Sequence, residues 1–177
     1  MAESTPANKI ELEIVTPKGR ALKAMVDEVT APSVQGEFGV MPGHLPLLAA
    51  LRTGIVSYRT GNAEPKRCAV GPGFAEAGAN KLLILTDEYT EREQIDPVLV
   101  RKELGEVQGA IDKLTAKGDL TAAGTSGEAA VLIARENWLA VQLELYGDPP
   151  PATMRPFEDF GPPPPPAEDE VPTDTSN

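Results

Sequence analysis

The side chains most able to do chemistry in this chain are few and scattered: its one histidine, His44, its one cysteine, Cys68, and acids at Glu37, Asp87-Glu88, Glu91 and Glu93. His44 with Glu37 is the pair that invites an acid–base reading, since a general base works only within reach of a group whose proton it takes. No serine, cysteine or lysine lies near them in residues 36–48, so a structural or contact histidine is the stronger reading. Cys68 with His44 would resemble a thiolate–imidazole pair. It lies, however, between Arg67 and Ala69 in a strand-like run, where a buried, inert thiol is the default. Gly71-Pro72-Gly73 has the glycines of a phosphate cradle, but no Lys-Ser/Thr follows and no helical pattern opens there. A tight turn between strands fits better. The acid pairs near residue 90 read as a solvated linker, and one histidine with one cysteine cannot assemble a nitrogen–sulfur metal cluster. The residues point to no catalytic group, no metal and no cofactor.

What remains distinctive is the stretch holding His44: Gly36-Glu37-Phe38-Gly39-Val40-Met41-Pro42-Gly43-His44-Leu45-Pro46-Leu47-Leu48. Its glycines and prolines force tight backbone excursions. Phe38, Val40, Leu47 and Leu48 are core-type residues, so the loop is expected to be pinned by its own side chains and to present Glu37 and His44 at its rim. That is a contact surface.

The elements that position this loop follow from periodicity. Lys9 to Val15 alternates, with Ile10, Leu12 and Ile14 on one face and Glu11 and Glu13 on the other, as in a half-buried strand. Further strand-like runs are Ala21 to Val29, Gly39 to Met41, Leu47 to Leu51, Gly54 to Tyr58, Lys66 to Val70, Phe74 to Ala77 and Leu82 to Thr86, separated by Gly-, Asn- and Pro-containing turns. Such spacing predicts an antiparallel β-sandwich or barrel over residues 9–87.

After Thr86 the period changes. Val100, Leu104, Val107, Ile111 and Leu114 form one stripe of an amphipathic helix, with Asp96 as N-cap, Pro97 in its first turn and Gly118 as its stop. Gly105 and Gly109 each cost about 1 kcal/mol relative to alanine, so this helix needs packing. A second helix starts with a Thr125–Glu128 capping box, carries the stripe Val131, Ala134, Trp138, Val141, Leu145 and ends at Gly147. The two form an antiparallel helical hairpin over residues 88–147, whose stripes read as packing surfaces rather than a cofactor cradle.

Residues 1–8 and the tail 148–177 are expected to be disordered. From Asp148 onward there are ten prolines, and seven acids against Arg155 alone, leaving almost nothing to bury. Pro162 to Pro166 suit a polyproline II rod.

Composition narrows the function. A formal net charge of −11, from 16 Lys+Arg against 27 Asp+Glu, argues against a nucleic-acid partner. The lone cysteine excludes an internal disulfide framework. Met1-Ala2-Glu3-Ser4-Thr5-Pro6 has neither the basic start of a signal peptide nor the arginines of a transit peptide, and no apolar run spans a bilayer. The expectation is a bacterial cytoplasmic product that reaches a membrane only through a partner.

The Gly36–Leu48 loop closely resembles the signature loop of the epsilon subunit of F-type ATP synthases, and Val70-Gly71-Pro72-Gly73-Phe74 stands where that family has a turn. The resemblance runs from Lys9 to Tyr146 and omits the tail. It implies a flattened ten-stranded sandwich bound to the gamma subunit and the c-subunit ring, with Glu37, Met41 and His44 at that contact. It also implies a hairpin, carrying Val100, Leu104, Val107, Ile111, Val131, Trp138, Val141 and Leu145, that extends toward the alpha and beta subunits to restrain ATP hydrolysis. Chemistry would occur on the beta subunits, and the complex would place this chain at the cytoplasmic face of the bacterial inner membrane. The competing readings are a free-standing adaptor working through its Pro-rich tail and a small enzyme dependent on His44.

Nucleotide-binding members of that family carry an Ile/Leu-Asp-x-x-Arg-Ala motif and arginines on the second helix. Here the motif reads Ile95-Asp96-Pro97-Val98-Leu99-Val100. Arg101, two residues beyond Leu99, points about 200° around the helix, and Arg135 is flanked by Glu128 and Glu136. Calorimetry on the isolated chain should therefore show no ATP binding at millimolar or tighter affinity. A clear isotherm would contradict this.

Overall fold

Residues 9–150 are described by the computed structural model, except 117–119, 122, 123 and 126 and the side chains of 117–126. The expected disorder of residues 1–8 and of the tail beyond residue 150, the Gly118 stop and the Thr125 capping box lie outside those residues.

Ten strands form one sheet: β1 (Ile10–Thr16), β2 (Gly19–Val26), β3 (Glu28–Ser33), β4 (Gly36–Val40), β5 (Leu47–Leu51), β6 (Gly54–Arg59), β7 (Lys66–Val70), β8 (Gly73–Gly78), β9 (Lys81–Thr86) and β10 (Tyr89–Glu91). Their order is β10-β7-β6-β3-β5-β8-β9-β1-β2, with β4 added on β3. Every pairing is antiparallel except β1 with β9. β3 is the bend, because Glu28–Thr30 pair with β6 while Ser33 alone meets Leu51 of β5. Folding there closes the sheet over one core that contains Ile10, Leu12, Ile14, Val29, Val56 and Ile84. The sandwich followed by two helices is the fold class that the periodicity predicts.

Two strand expectations change. The run Ala21 to Val29 is two strands broken at Asp27, whose carboxylate accepts from the Lys9 ammonium at 2.7 Å and from the Gly61 N–H. β10 has no counterpart among the expected strands, although it pairs with β7 in the register Tyr89↔Val70 to Glu91↔Cys68. Its three residues are all half-buried and show no alternation.

A single 3₁₀ turn at Arg92–Gln94 leads into α1 (Pro97–Ala116) and α2 (Gly127–Tyr146). Asp96 caps α1 as expected, its carboxylate accepting from the N–H groups of Val98 and Leu99 at 3.0 and 3.2 Å. Gly147, with φ +101°, ends α2 by donating to the carbonyls of Leu143 and Glu144. A second core joins the hairpin to the sheet: Val100 and Leu104 of α1 with Trp138, Leu139, Leu143 and Leu145 of α2, against Ala69 and Ile95.

The expected α2 stripe holds only in part. Trp138 and Leu145 are buried and Val141 half-buried, but Val131 is 69% exposed and Ala134 is exposed. The buried positions toward the start of the helix are Ala129 and Glu136 instead. The second core extends no closer to that end than Trp138. The side of α2 that carries Val131 and Ala134 is therefore open over the first half of the helix.

Gly73, opposite Thr86 in the β8–β9 pair, leaves no room for a side chain. A Cβ built there would lie 1.9 Å from the carbonyl oxygen of Leu85. Gly73→Ala should lower stability by about 1–3 kcal/mol, read from the thermal or urea midpoint. An unchanged midpoint would contradict the packing described.

Candidate functional site

The segment between β4 and β5 is held by two hydrogen bonds. The His44 N–H donates to the Met41 carbonyl at 3.0 Å, closing a turn with Pro42 and Gly43 at its centre, and Gly43 has φ +81°. This is the type II pattern, proline followed by glycine. The Gly43 N–H donates to Asn80 Oδ1 at 2.8 Å, and the Asn80 carbonyl accepts from the Glu11 N–H at 2.9 Å. The loop is thus tied to the β8–β9 turn and, through it, to the first strand.

On this frame Glu37 is exposed on β4, Met41 is exposed and His44 is half-buried. The imidazole Nδ1–H of His44 donates to the Leu45 carbonyl at 2.7 Å. Leu45 is 79% exposed. Phe38 and Leu47 pack on the core and Val40 belongs to it, as expected, but Leu48 is 73% exposed and faces away. The anchored segment therefore carries an imidazole and two exposed apolar side chains, Met41 and Leu45, while Glu37 stands apart from it on β4, opposite Pro32 beside the β3–β4 turn. Cys68 lies fully buried in the sandwich core, where burial pushes its thiol up to about 12. It is protonated at neutral pH and separated from the surface on which His44 sits, so the thiolate–imidazole pair is not built.

A second surface has no counterpart among the sequence expectations. Leu48, Ala50, Phe74 and Leu85 lie on the outer face of β5, β8 and β9, with Ala50 opposite Phe74 and Phe74 opposite Leu85. Phe74 is 59% exposed. Ala50, Phe74 and Leu85, with Val15 and Pro72, line a shallow open groove. The signal was Leu82-Leu83-Ile84-Leu85, a run without alternation, which marks a strand covered on both faces. Beside it the outer face of β1 is charged: Glu11 and Glu13 pair with Lys23 and Lys81, which hold both carboxyls below their usual range.

In the hairpin, the Asp96 carboxylate is engaged in capping α1, and Leu99 is exposed at the position where the resemblance expects arginine. Arg101 pairs with Asp148, and Arg135 contacts Glu103 at 2.7 Å and Glu88 at 3.5 Å. Each of these arginines already meets a carboxylate. Among the described residues no helix is long and apolar enough to cross a membrane.

Residues 9–92 match the family described as the ATP synthase delta/epsilon chain, β-sandwich domain. An "ATP synthase epsilon chain 2" of Syntrophotalea carbinolica is 38% identical over 109 residues, 62% of this chain and 78% of that protein. An "ATP synthase epsilon chain" of Anaeromyxobacter dehalogenans is 38% identical over 121 residues, 68% of this chain and 88% of its own length. The fold is similar to a chain in the mitochondrial ATP synthase of Euglena gracilis, a structure of OSCP, F1 and c-ring, with TM-score 0.57, 23% identity, and 84% and 82% of the two chains covered. Two curated relatives matched at this identity over more than three quarters of their lengths establish that the chain belongs to the family of ATP synthase epsilon chains.

Proposed function

We propose that the chain is a non-catalytic rotor subunit of a proton-translocating ATP synthase, joining the gamma subunit to the c-subunit ring and restraining ATP hydrolysis through its helices. The observation that carries this is the pairing of an anchored, exposed loop with an uncovered apolar sheet face on one small domain. The loop, with Met41 and His44, and Glu37 on the adjoining strand β4 are suited to the exposed end of the c-ring. The face formed by Leu48, Ala50, Phe74 and Leu85 suits a partner that stays attached, for which gamma is the candidate. The position is peripheral, at the cytoplasmic face of a bacterial inner membrane, and membrane contact comes through the complex.

The hairpin is suited to a movable brake. Its first helix carries Gly105 and Gly109, and a Cβ at either would meet nothing within 4 Å, so neither glycine is required by packing. Both weaken the helix, and a weak element held by one apolar cluster is the kind that opens locally. Released, Val100, Leu104, Val107, Ile111, Trp138, Val141 and Leu145 would be offered to the alpha and beta subunits, alongside the already exposed Val131.

Two outcomes are expected. Cross-linking from cysteine placed at position 37 or 44 in the assembled complex should capture a c subunit, whereas capture only of other proteins would reject the loop assignment. Removing the chain after Asp87 should raise ATP hydrolysis by the complex, and unchanged hydrolysis with the truncated subunit still bound would reject the brake.

A further inference from the structure

Along its twenty residues α2 carries one cation, Arg135, and the fold surrounds it with acid. Its Nε and Nη2 both lie 2.7 Å from Glu103 Oε1 on α1, and its Nη1 lies 3.5 Å from Glu88 Oε1. Glu88 belongs to neither helix. It sits between β9 and β10, where its carbonyl accepts from the Gly71 N–H at 2.9 Å and from the Thr86 hydroxyl at 3.1 Å. Its side chain occupies space that Gly71 leaves open: a Cβ there would come 3.1 Å from Glu88 Cβ and 3.5 Å from Oε2. Trp138, the chain's one tryptophan, follows Arg135 by less than a turn and lines a groove with Glu88, Asp87, Lys18 and Arg20.

We propose that Glu88 and Arg135 set the docked position of the hairpin: the docked hairpin half-buries the carboxylate, and its one α2 cation must arrive there to cover it. This goes beyond the brake reading by naming what fixes the resting pose. It concerns the free chain, so it can fail while the brake stands.

The pair is asymmetric. Removing one partner of a partly buried ion pair leaves the other charge less well compensated, whereas neutralising the costly member removes the penalty itself. Burial raises the Glu88 carboxyl above its usual value more than Arg135 lowers it, and Asp87 adds to the rise. Glu88 is thus a charge that docking tolerates, and Arg135 is what makes it tolerable. Glu103 only ties α1 to α2 within the hairpin.

The test is acrylamide quenching of Trp138 in the full chain, with circular dichroism to follow helix content. Both side chains are partly exposed, so R135Q should lower the docked-to-undocked ratio by about two- to fivefold, and quenching should rise. E88Q and E103Q should stay close to the parent. E88Q added to R135Q should restore shielding. Acid should do the same for R135Q alone: the docked carboxyl has the higher pKa, so the docked state takes up the proton and gains as pH falls through the carboxylate range. The other charges facing Glu88 are Asp87, Glu103, Lys18 and Arg20, and the double variant carries all of them, so it should lack that acid recovery. Parent-like shielding in R135Q would overturn the proposal. So would release by E88Q alone equal to that of R135Q, or a double variant no better shielded than R135Q.

Discussion

A sheet of ten short strands folded at β3 has a single interior, and each apolar side chain left outside it needs another surface. The interior is filled by alternate residues such as Ile10, Leu12 and Ile14, all fully buried, each contributing about 1.5–3 kcal/mol relative to exposure. The outside divides into three regions. β1 and β2 are covered by charge, in the lattice of Glu11, Glu13, Lys23 and Lys81. β6 and β7 are covered by the hairpin through Ile55 and Ala69. β5, β8 and β9 carry Leu48, Phe74 and Leu85 with nothing over them.

That division accounts for the molecule as a part of something larger. Its family supplies the assembly, and the uncovered face and the anchored loop supply the surfaces by which it would be held there. The hairpin completes the fold by burying Trp138, Leu139 and Leu143, yet half of one stripe, at Val131, stays open. An element that covers one surface incompletely is suited to exchange it for another.

Much of this was legible in the sequence, because burial writes its period into it. The strict alternation of β1 gave its face correctly, and the change to helical spacing after Thr86 placed both helices. Asp96 and Gly147 marked helix ends because each satisfies backbone groups that a helix leaves unpaired. Periodicity shows that a face exists and is silent about what covers it, so it assigns Leu48 and Val131 to packed faces although both are exposed. β10 was invisible because three half-buried residues have no period. The Arg135 contacts were equally hidden, since Glu88, Glu103 and Arg135 are far apart in the chain: closure of the hairpin brings Glu103 to Arg135, and docking on the sheet brings Glu88.

The measurement that bears most directly on the rotor reading is co-purification of the tagged full-length chain from detergent-solubilised membranes of its own cells. The account predicts recovery of gamma and the c-ring together with alpha and beta, with ATP hydrolysis activity in the eluate. Recovery of the chain alone, or with proteins unrelated to an ATP synthase, would contradict it.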